Sequence, residues 1–459
     1  MNKIIPYGRQ HITQEDIAAV VETLQSDFLT QGPKIKEFED AFASYIGSEY
    51  AVAVSNGTAA LHLCALALDV QPGDKVITTP ITFAASANCV RYAGGEVVFA
   101  DIDPSTYLLD IDEVEKLLKA SPKGTYKGII PVDFAGRAVD LEAYRKLADQ
   151  YGCWIIEDAC HAPGGFFTDS KGQQQKCGNG QFAELAIFSF HPVKHIACGE
   201  GGMITTNDKV LYEKLLMLRT HGIIKNNDQF QNPLSLAMGL QITNNPTLND
   251  SLSNDRMTSP PLTNDPMTND PIPNDPIPND LMPNDPIPNT SITNAPITNT
   301  YPLWYYEMQE LGFNYRLTDF QAALGLSQLK RADQGLQKRK EIAARYDKAF
   351  AGLMTNDPLT NDLMANAQPG HAYHLYIIET EKRKELYDYL REKNIFAQVH
   401  YIPVHLMPYY RKFGWKEGDL PHAENYYQRC LSLPMYPTLG VEQQEYVINC
   451  IESFLHNAI

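Results

Sequence analysis

Short apolar runs alternate with amphipathic stretches through the first half of the chain. The runs with the character of strands are AVAVS, DKVITTP, EVVFADI, KGIIPVDF and CWIIEDA, which lie between residues 51 and 159. Strands that alternate with helical segments are typical of repeated strand–helix–strand units. Residues 31–225 therefore predict an α/β fold with a mostly parallel central sheet and helices on both of its faces.

The flanking segments predict smaller elements around that sheet. An extended start leads into a helix over residues 13–26, and residues 318–350, rich in Ala, Leu, Lys and Gln, predict one long amphipathic helix. HLYIIE, KELYDYLREKN and AQVHYI predict a smaller α+β domain at the C-terminal end. The predicted organisation is an N-terminal segment 1–30, a large domain 31–243, an insert 244–300, an interface segment with the connecting helix 301–350, and a small C-terminal domain 351–459.

The insert repeats a five-residue unit such as PIPND or PMTND. Proline every few residues interrupts helices and sheet ladders, and Asn-Asp-Pro steps favour turns. Without continuous apolar faces, the segment is predicted to stay disordered. A shorter copy, TNDPLTNDL, recurs at residues 355–363. Two interpretations stay open. One is a repeat expansion in a tolerated surface loop; the other is a spacer or a partner-binding tail, for which the sequence offers no ligand motif.

The composition sets limits on the class of protein. A chain of 459 residues with 44% hydrophobic content can bury a large core, and a net charge of −17 without a basic patch argues against binding to nucleic acid. No apolar run reaches about 18 residues and the start of the chain lacks the apolar stretch of a signal peptide, so we expect a cytoplasmic protein with no membrane partner. The eight cysteines show no CxxC spacing, which favours a reducing compartment and no metal site.

Lys194 lies in FSFHPVKHIACGEGGMITTND, residues 188–208. Two apolar runs, 185–190 and 202–206, flank a glycine-rich turn, which would bring this lysine to the edge of a sheet. A lysine amine there can hold pyridoxal phosphate (PLP) as a Schiff base. By itself the lysine also fits an ordinary solvated charge.

A second segment favours a phosphate group. SNGTAAL, residues 55–61, follows a strand and opens a helix, where free backbone N–H groups bind phosphate. Gly57 would allow close approach and Thr58 would add a hydroxyl. The same letters also fit an ordinary helix cap that binds nothing.

Acidic and aromatic side chains mark two more strand ends. Asp158 ends the run WIIED and could pair with a protonated ring nitrogen, and His161 follows where it could lie on the cofactor. Phe83 lies in TTPITFAASANC and could stack on a flat ring. The residues leave alternatives open: metal binding or capping for the aspartate, and plain packing for the two rings.

In chain order, a phosphate turn, a stacking aromatic, a strand-end aspartate and a Schiff-base lysine resemble the fold type I PLP-dependent aminotransferases. The likeness narrows to the DegT/DnrJ/StrS family of nucleotide-sugar aminotransferases. The segments that carry it are LTQGPKIKEFEDAFASYIG (29–47), SFHPVKHIACGEGGMITTND (189–208), GFNYRLTDFQAALGLSQL (312–329) and QVHYIPVHL (398–406). They span nearly the whole chain outside the insert. VDFAG (132–136) is similar to the branch that serves pseudaminic acid synthesis, whereas Ala197 and Cys198 stand where hydroxyl residues are expected.

The resemblance implies an enzyme that moves an amino group, from L-glutamate, to the 4-keto group of a UDP-linked 4-keto-6-deoxy-N-acetylhexosamine. Lys194 would bind PLP and then act as general base and acid, while Asp158 would keep the pyridine nitrogen protonated. The other expected cofactor contacts are Gly57, Thr58, Ser189, Phe83 and His161, with Asn314 reaching the phosphate held by the partner in a homodimer with shared active sites. The implied contacts to the sugar nucleotide are Tyr7, Thr30, His400 and Tyr401.

Two other functions fit the same scaffold. One is a PLP-dependent deoxysugar dehydratase; some of these enzymes replace the lysine by histidine, and Lys194 argues against that kind. The other is a non-catalytic PLP-fold protein that binds or senses a ligand. The joint presence of Lys194, Asp158 and Ser189 argues against it.

Overall fold

The computed structural model describes residues 4–232, 301–351 and 369–457. The predicted insert 244–300 and its shorter copy at 355–363 lie outside the described residues. The strands are β1 (Ile5–Pro6), β2 (Tyr50–Val54), β3 (Lys75–Thr78), β4 (Glu96–Phe99), β5 (Tyr126–Ile130), β6 (Trp154–Asp158), β7 (Phe166–Thr168), β8 (Gln174–Lys176), β9 (Leu185–Ser189), β10 (Gly202–Thr206), β11 (Ile223–Ile224), β12 (Glu307–Met308), β13 (Tyr376–Glu379), β14 (Ile395–Phe396) and β15 (Cys430–Leu433). The helices are α1 (Gln14–Leu24), α2 (Pro33–Ile46), α3 (Gly57–Ala67), α4 (Ala85–Tyr92), α5 (Ile111–Lys119), α6 (Leu141–Tyr151), α7 (Lys209–Arg219), α8 (Asp319–Leu329), α9 (Ala332–Phe350), α10 (Arg383–Glu392), α11 (Pro408–Arg411), α12 (Pro421–Arg429) and α13 (Val441–Asn457).

The described chain divides into two compact units, Met1–His221 with Leu311–Ile459, and Gly222–Glu310. A seven-stranded sheet in the order β2-β10-β9-β6-β5-β3-β4 forms the centre of the first unit. β10 runs antiparallel between β2 and β9, and the other pairs of this sheet are parallel. The prediction of a mostly parallel central sheet is confirmed. Its strands are apolar along most of their length because both faces are covered.

Aromatic side chains of α2 fix the end of β9. The ring of Phe42 lies 4.9 Å from Phe188 and 5.4 Å from Phe190, and Phe38 lies 5.2 Å from Phe190. All four rings are fully buried. Burying each contributes roughly 1.5–3 kcal/mol, so the start of the loop after β9 is held firmly against the core.

Residues 318–350 form two helices, where the periodicity predicts one. Thr318 caps α8 and the chain leaves the helical region at Arg331, with φ −123° and ψ 18°. Arg331 makes an ion pair with Asp16 of α1, and Gln328 donates to the same carboxylate at 2.8 Å. Contacts to a distant helix therefore set the break, and the local sequence of good helix formers does not show it.

The C-terminal residues build a small α+β layer. β13 and β15 pair antiparallel, and Tyr346, Phe350, Leu386 and Leu390 lie in the core that α9 and α10 form with these strands. β1 joins the layer by pairing in parallel with β14, so the start of the chain packs here. Among the described residues, no helix combines the length and the apolar character that a membrane crossing requires.

Within the second unit, a group of contacts joins residues 230–232 to residues 301–307, and we call this group the clasp. The Tyr301 hydroxyl donates to the Asn232 carbonyl at 2.6 Å, and Glu307 accepts the N–H groups of Gln231 at 2.7 Å and Asn232 at 2.9 Å. The rings of Phe230 and Tyr301 pack 4.7 Å apart. The two described ends on either side of residues 233–300 therefore meet.

Candidate active site

The predicted site residues come from strand ends that share one edge of the sheet. The ends of the parallel strands concerned are Val54, Thr78, Asp158 and Ser189. In open α/β sheets, ligands bind at this carboxyl edge. Gly202 of β10 pairs with both Val54 and Ser189, and a Cβ on it would lie 2.6 Å from the backbone of Asn56. Because Gly202 has no side chain, the ends of β2 and β9 can lie close together on either side of β10.

The turn before α3 places free donors next to Ser189. Asn56 accepts the N–H of Ala59 at 2.8 Å, which leaves the N–H groups of Gly57 and Thr58 without a partner within the helix. A Cβ on Gly57 would lie 3.0 Å from the Ser189 Cβ and 3.4 Å from its Oγ, so a larger residue would push the two segments apart. The arrangement suits a phosphate at a helix N-terminus.

Lys194 lies half-buried in the loop between β9 and β10. Burial lowers the pKa of Lys194, against the opposing influence of Cys160 and Asp158, and the positive charge of Arg339 lowers it further. More of the amine is therefore uncharged near neutral pH than for a free lysine. An uncharged amine is the form that acts as nucleophile and base.

The loop that follows β9 is fixed at its base. The Phe190 N–H donates to the Gly201 carbonyl at 2.8 Å, and the Cys198 N–H donates to the Phe190 carbonyl at 2.9 Å. Ala197 and Cys198 are both buried, and a Cβ on Gly325 of α8 would lie 2.8 Å from the Cys198 Sγ. Cys198, one of the two residues that depart from the family pattern, therefore packs this loop against α8.

Asp158 is buried, and both of its carboxylate oxygens accept a hydrogen bond. Ser86 Oγ donates to Oδ2 at 2.7 Å and the Cys160 N–H donates to Oδ1 at 3.2 Å. The Thr82 hydroxyl lies 2.8 Å from Ser86 Oγ and extends the network. Sequence reasoning missed Ser86, because a small polar residue at the start of a helix is first interpreted as a cap. These bonds hold the carboxylate in a fixed orientation.

His161 is buried among rings beside the strand end. The Ala135 N–H donates to Nδ1 at 3.2 Å, so the neutral ring carries its hydrogen on Nε2, which lies 3.3 Å from the Tyr401 hydroxyl. The ring of His374 lies 4.2 Å away, centroid to centroid. Burial, assisted by the charge of Lys194, lowers the pKa of His161 far below its usual value, so the ring stays neutral.

Three predicted substrate contacts lie together beside this histidine. The rings of Tyr7 and His400 are 5.0 Å apart, and those of His400 and Tyr401 are 4.9 Å apart. Burial, with a contribution from Lys194, lowers the pKa of His400 to about 3. Burial raises the pKa of both tyrosines, so their hydroxyls remain donors. Their contact with a substrate stays a prediction.

The other predicted contacts are more exposed. Phe83 is 63% exposed, with the Tyr401 ring 6.5 Å away, so one face is open to a ligand. Thr30 and Asn314 are exposed, and within the described ranges neither has a hydrogen bond or ring contact with the other predicted site residues. Asn314 forms an isolated bridge with Thr220. Within one chain, Thr30 and Asn314 therefore do not contact the other predicted site residues.

Arg339 is a buried cation near the site that sequence reasoning missed. It is 1% exposed and donates to the carbonyl oxygens of Tyr373 and His374, both at 3.3 Å, and of Met435 at 2.9 Å. Burial lowers its pKa to about 10, which leaves it charged at neutral pH. Since it lies on α9, far along the chain from Lys194, no local motif could have indicated it.

Two acids share a buried space at the end of β6. Asp133 accepts the Val139 N–H at 2.8 Å and Glu157 accepts the Gly178 N–H at 2.9 Å. Their carboxylate oxygens and the Cys177 Sγ lie within 4.8 Å of one another. Burial raises the pKa of Asp133 to about 6 and that of Glu157 further above its usual value. Both carboxyl groups are therefore harder to ionise than exposed acids, because burial and the neighbouring carboxyl group disfavour their charged forms.

The residues at the sheet edge fit PLP. The glycine-lined turn at Gly57 offers N–H groups for a phosphate, Asp158 offers a buried carboxylate for a ring nitrogen, and Lys194 offers an amine of lowered pKa. These three groups arise from separate strand ends of one parallel sheet. The fold and this donor set define the class of fold type I PLP-dependent enzymes.

Residues 10–248 and 296–452 match the DegT/DnrJ/EryC1/StrS aminotransferase family, and the chain belongs to that family. It is a PLP-dependent aminotransferase, as the motifs indicated. The match skips residues 249–295, which lie within the predicted insert.

Similar proteins cover almost the whole chain. SpsC, a spore coat polysaccharide biosynthesis protein of Bacillus subtilis (strain 168), is 35% identical, over 100% of this chain and 98% of the relative. The UDP-4-amino-4,6-dideoxy-N-acetyl-beta-L-altrosamine transaminase of Campylobacter jejuni serotype O:2 is 31% identical, over 98% of each chain. The solved structure of PseC from Helicobacter pylori, an aminotransferase of pseudaminic acid biosynthesis, superposes with a TM-score of 0.74 at 26% identity, over 99% of this chain and 100% of that one. The predicted family and fold type are confirmed.

Proposed function

We propose that this enzyme transfers an amino group from L-glutamate to the 4-keto group of a UDP-linked 4-keto-6-deoxy-N-acetylhexosamine. The observation that carries the proposal is the meeting of Lys194, Asp158 and the Gly57 turn at one sheet edge, beside the ring-lined space of Tyr7 and His400. The names of the Campylobacter jejuni and Helicobacter pylori relatives support this sugar class.

Each residue has a defined task in this reaction. PLP, when bound, supplies an electron sink and carries the amino group between the two substrates. Lys194 would hold it through Nζ, and once the amine of the substrate had replaced the lysine, the freed Nζ would remove and return protons at the substrate carbon. Asp158 holds a proton on the ring nitrogen through its carboxylate, which Ser86 orients. Gly57, Thr58 and Ser189 would hold the phosphate, and Phe83 and His161 would contact the ring.

The proposal includes a homodimer in which each copy completes the site of the other. Its support is the position of Asn314, which is exposed and held by the bridge to Thr220. A fixed, exposed amide can reach a phosphate on a second copy, and a two-fold axis would repeat the contact. Thr30, which is also exposed, is proposed to contact the sugar nucleotide in the same assembly.

The test is a two-step assay of the purified holoenzyme. L-glutamate alone should yield 2-oxoglutarate in a single turnover, and a panel of UDP- and dTDP-linked keto sugars should then yield one amino sugar, identified by mass spectrometry. Lys194→Ala should abolish both steps and keep the fold, whereas Lys209→Ala, at a position 72% exposed, should change neither. A product from the dTDP sugars alone would overturn the proposed nucleotide. Turnover by Lys194→Ala near the parent rate would overturn the whole assignment.

A further inference from the structure

A separate cavity of about 50 Å³ shares a wall with the active site. Ala135 lines it, and the N–H of the same residue donates to His161. The polar side chains around it are Thr106, Tyr107, Arg137, Asp347, His371, Tyr373 and Tyr376. None of them belongs to the predicted cofactor or substrate contacts.

Arg137 is the residue of this cavity that indicates a bound anion. Its side chain is only 9% exposed, yet in the part of the chain that the structure describes, its guanidinium donates no hydrogen bond and forms no ion pair. Two other deeply placed arginines do have such partners, since Arg339 donates to three carbonyl oxygens and Arg219 pairs with Glu39 at 2.6 Å. Arginine keeps its charge in a protein, so its burial without a direct hydrogen-bond partner is unfavourable, and the charge of Asp103 offsets only part of the effect of burial on its pKa.

The neighbouring side chains offer further donors. The Tyr373 N–H donates to His371 Nδ1 at 2.8 Å, so Nε2 carries the hydrogen of the neutral ring. Burial lowers the pKa of His371 to about 3, and the charge of Arg137 adds to this effect. Thr106 accepts the Leu108 N–H at 3.3 Å, which leaves its hydroxyl hydrogen free. These groups complement an anion.

One acid and two phenols that line the cavity are already engaged. Asp347 accepts the Tyr376 hydroxyl at 2.9 Å, and the Tyr107 hydroxyl donates to Glu379. Burial raises the pKa of Asp347, and the hydrogen bond from Tyr376 opposes this effect. Among the described residues, the Arg137 guanidinium, the His371 Nε2–H and the Thr106 hydroxyl hydrogen therefore remain as unused donors of the cavity.

The backbone around the cavity is also held in an unfavourable conformation. Tyr107, Ala135 and Tyr373 have φ values of 62°, 60° and 48°, which non-glycine residues rarely adopt. Gly136 has φ 97°, and a Cβ on it would lie 2.8 Å from the Tyr373 N. Such strain is concentrated at functional sites, where the surrounding structure stabilises it.

We propose that this cavity binds a small anion, a halide or a carboxylate no larger than acetate, with Arg137 as its counter-ion. The volume sets the size, because about 10–15 Å³ of this measure holds one water and the whole cavity holds only a few. His371 Nε2 and the Thr106 hydroxyl would donate to the same anion.

The test measures thermal unfolding of the holoenzyme in acetate, with gluconate, which is too large for the cavity, keeping the ionic strength constant. For wild type, Tm should rise by roughly 1–2 °C for each tenfold rise in acetate above its Kd. Arg137→Gln should lose this response and melt no lower than wild type in gluconate, because it removes an unpaired buried charge. Arg411→Gln, which removes the same charge from an exposed position, should keep the wild-type response.

Calorimetric titration of wild-type holoenzyme with acetate and with chloride makes the outcome independent of how the variants fold. Saturable heat with either anion, absent in Arg137→Gln and weakened in Arg137→Lys, supports the site. No saturable heat in wild type, or equal heat in Arg137→Gln, overturns it. Aminotransferase activity is not the readout, so failure here leaves the proposed function standing.

Discussion

Burial sets the charge of most side chains around Lys194. It lowers the pKa of the lysine and of the imidazoles His161 and His400, and it raises the pKa of the Tyr401 phenol. The pocket therefore presents neutral donors and acceptors around one carboxylate, Asp158. Arg339 is the cation beside these neutral rings, and Lys194 is the amine whose proton burial makes easier to lose.

Asp158→Asn is expected to keep the cofactor and lose most of the activity. Asparagine keeps the shape and an oxygen for the Ser86 hydroxyl, but it cannot stabilise a protonated ring nitrogen. We expect the single-turnover rate with L-glutamate to fall roughly 100-fold or more, the scale of removing one electrostatic stabiliser. Ser86→Ala removes only one hydrogen bond to the carboxylate, so its single-turnover rate should fall much less. A rate for Asp158→Asn within about threefold of wild type would contradict the assigned role.

The buried acid pair predicts a change of stability with pH. The pKa of Asp133 is raised from 3.8 to about 6, so its contribution to stability is fully present below the unfolded value and is lost as the pH rises through about 6. Asp133→Asn has no such loss, and its oxygen can still accept the Val139 N–H. The free energy of unfolding should therefore decrease less for Asp133→Asn than for wild type between pH 4 and pH 7.5.

The measurement is urea unfolding of both proteins across this pH range. Asp27→Asn, at an exposed position, is the control. Its free energy of unfolding should change with pH in the same way as that of wild type. If the difference between Asp133→Asn and wild type stays constant with pH, the raised pKa is wrong.

Strand register, more than any single side chain, assembles the site. Gly202 opposes Val54 on one side and Ser189 on the other, which brings the phosphate turn and the lysine loop together. The sequence predicted these elements well: the run 202–206 is β10 without change, and 185–190 differs from β9 by one residue. Continuous apolar runs between glycines are a strong local signal.

The features that the sequence did not predict depend on contacts between segments that lie far apart along the chain. The break between α8 and α9 follows from the ion pair of Arg331 with Asp16, and neither residue is unusual in its own surroundings. Arg339 and His374 reach the site only once the C-terminal layer has packed. Motifs therefore predicted the residues at the strand ends, and packing supplied those around them.

Gly57→Ala should weaken cofactor binding without unfolding the protein. The new Cβ would lie 3.0 Å from the Ser189 Cβ and force the turn away from β9, although alanine is favourable in the first turn of a helix. We expect PLP to dissociate at least about tenfold more readily, a cost of about 1.4 kcal/mol, with the Tm of the cofactor-free protein unchanged.

Gly335→Ala is the matched control in α9. Its Cβ would meet only the Pro437 Cγ at 3.7 Å, an ordinary contact. This variant should keep its affinity for PLP and gain about 0.5–1 kcal/mol of stability, because glycine is unfavourable within a helix. Equal PLP release by both variants would show that crowding at Ser189 does not matter.

The molecule as a whole accommodates a long tract of repeats at one place. The family match stops at residue 248 and resumes at residue 296, and the clasp joins the described ends at Asn232 and Tyr301. The contacts of the clasp join residues that lie outside the repeats, so these contacts do not require the repeats.

Deletion of residues 249–298 is therefore expected to leave a folded, active enzyme. Loop closure entropy grows only with the logarithm of length, so stability should change by about 1 kcal/mol or less. Melting temperature, sedimentation and turnover of the deletion should match those of the parent. Glu307→Ala in the full-length chain, which removes the acceptor for Gln231 and Asn232, should be more destabilising than the deletion. Lost turnover with PLP still bound would show that the repeats take part in catalysis.

The clasp also has a consequence for the gene. Each repeat is five codons long, so a slip of the copying machinery that adds or drops one repeat keeps the reading frame. Both ends of the tract stay anchored at Asn232 and Tyr301, whatever the number of units between them. Related strains should therefore carry alleles that differ in tract length yet encode enzymes with the same kinetic constants.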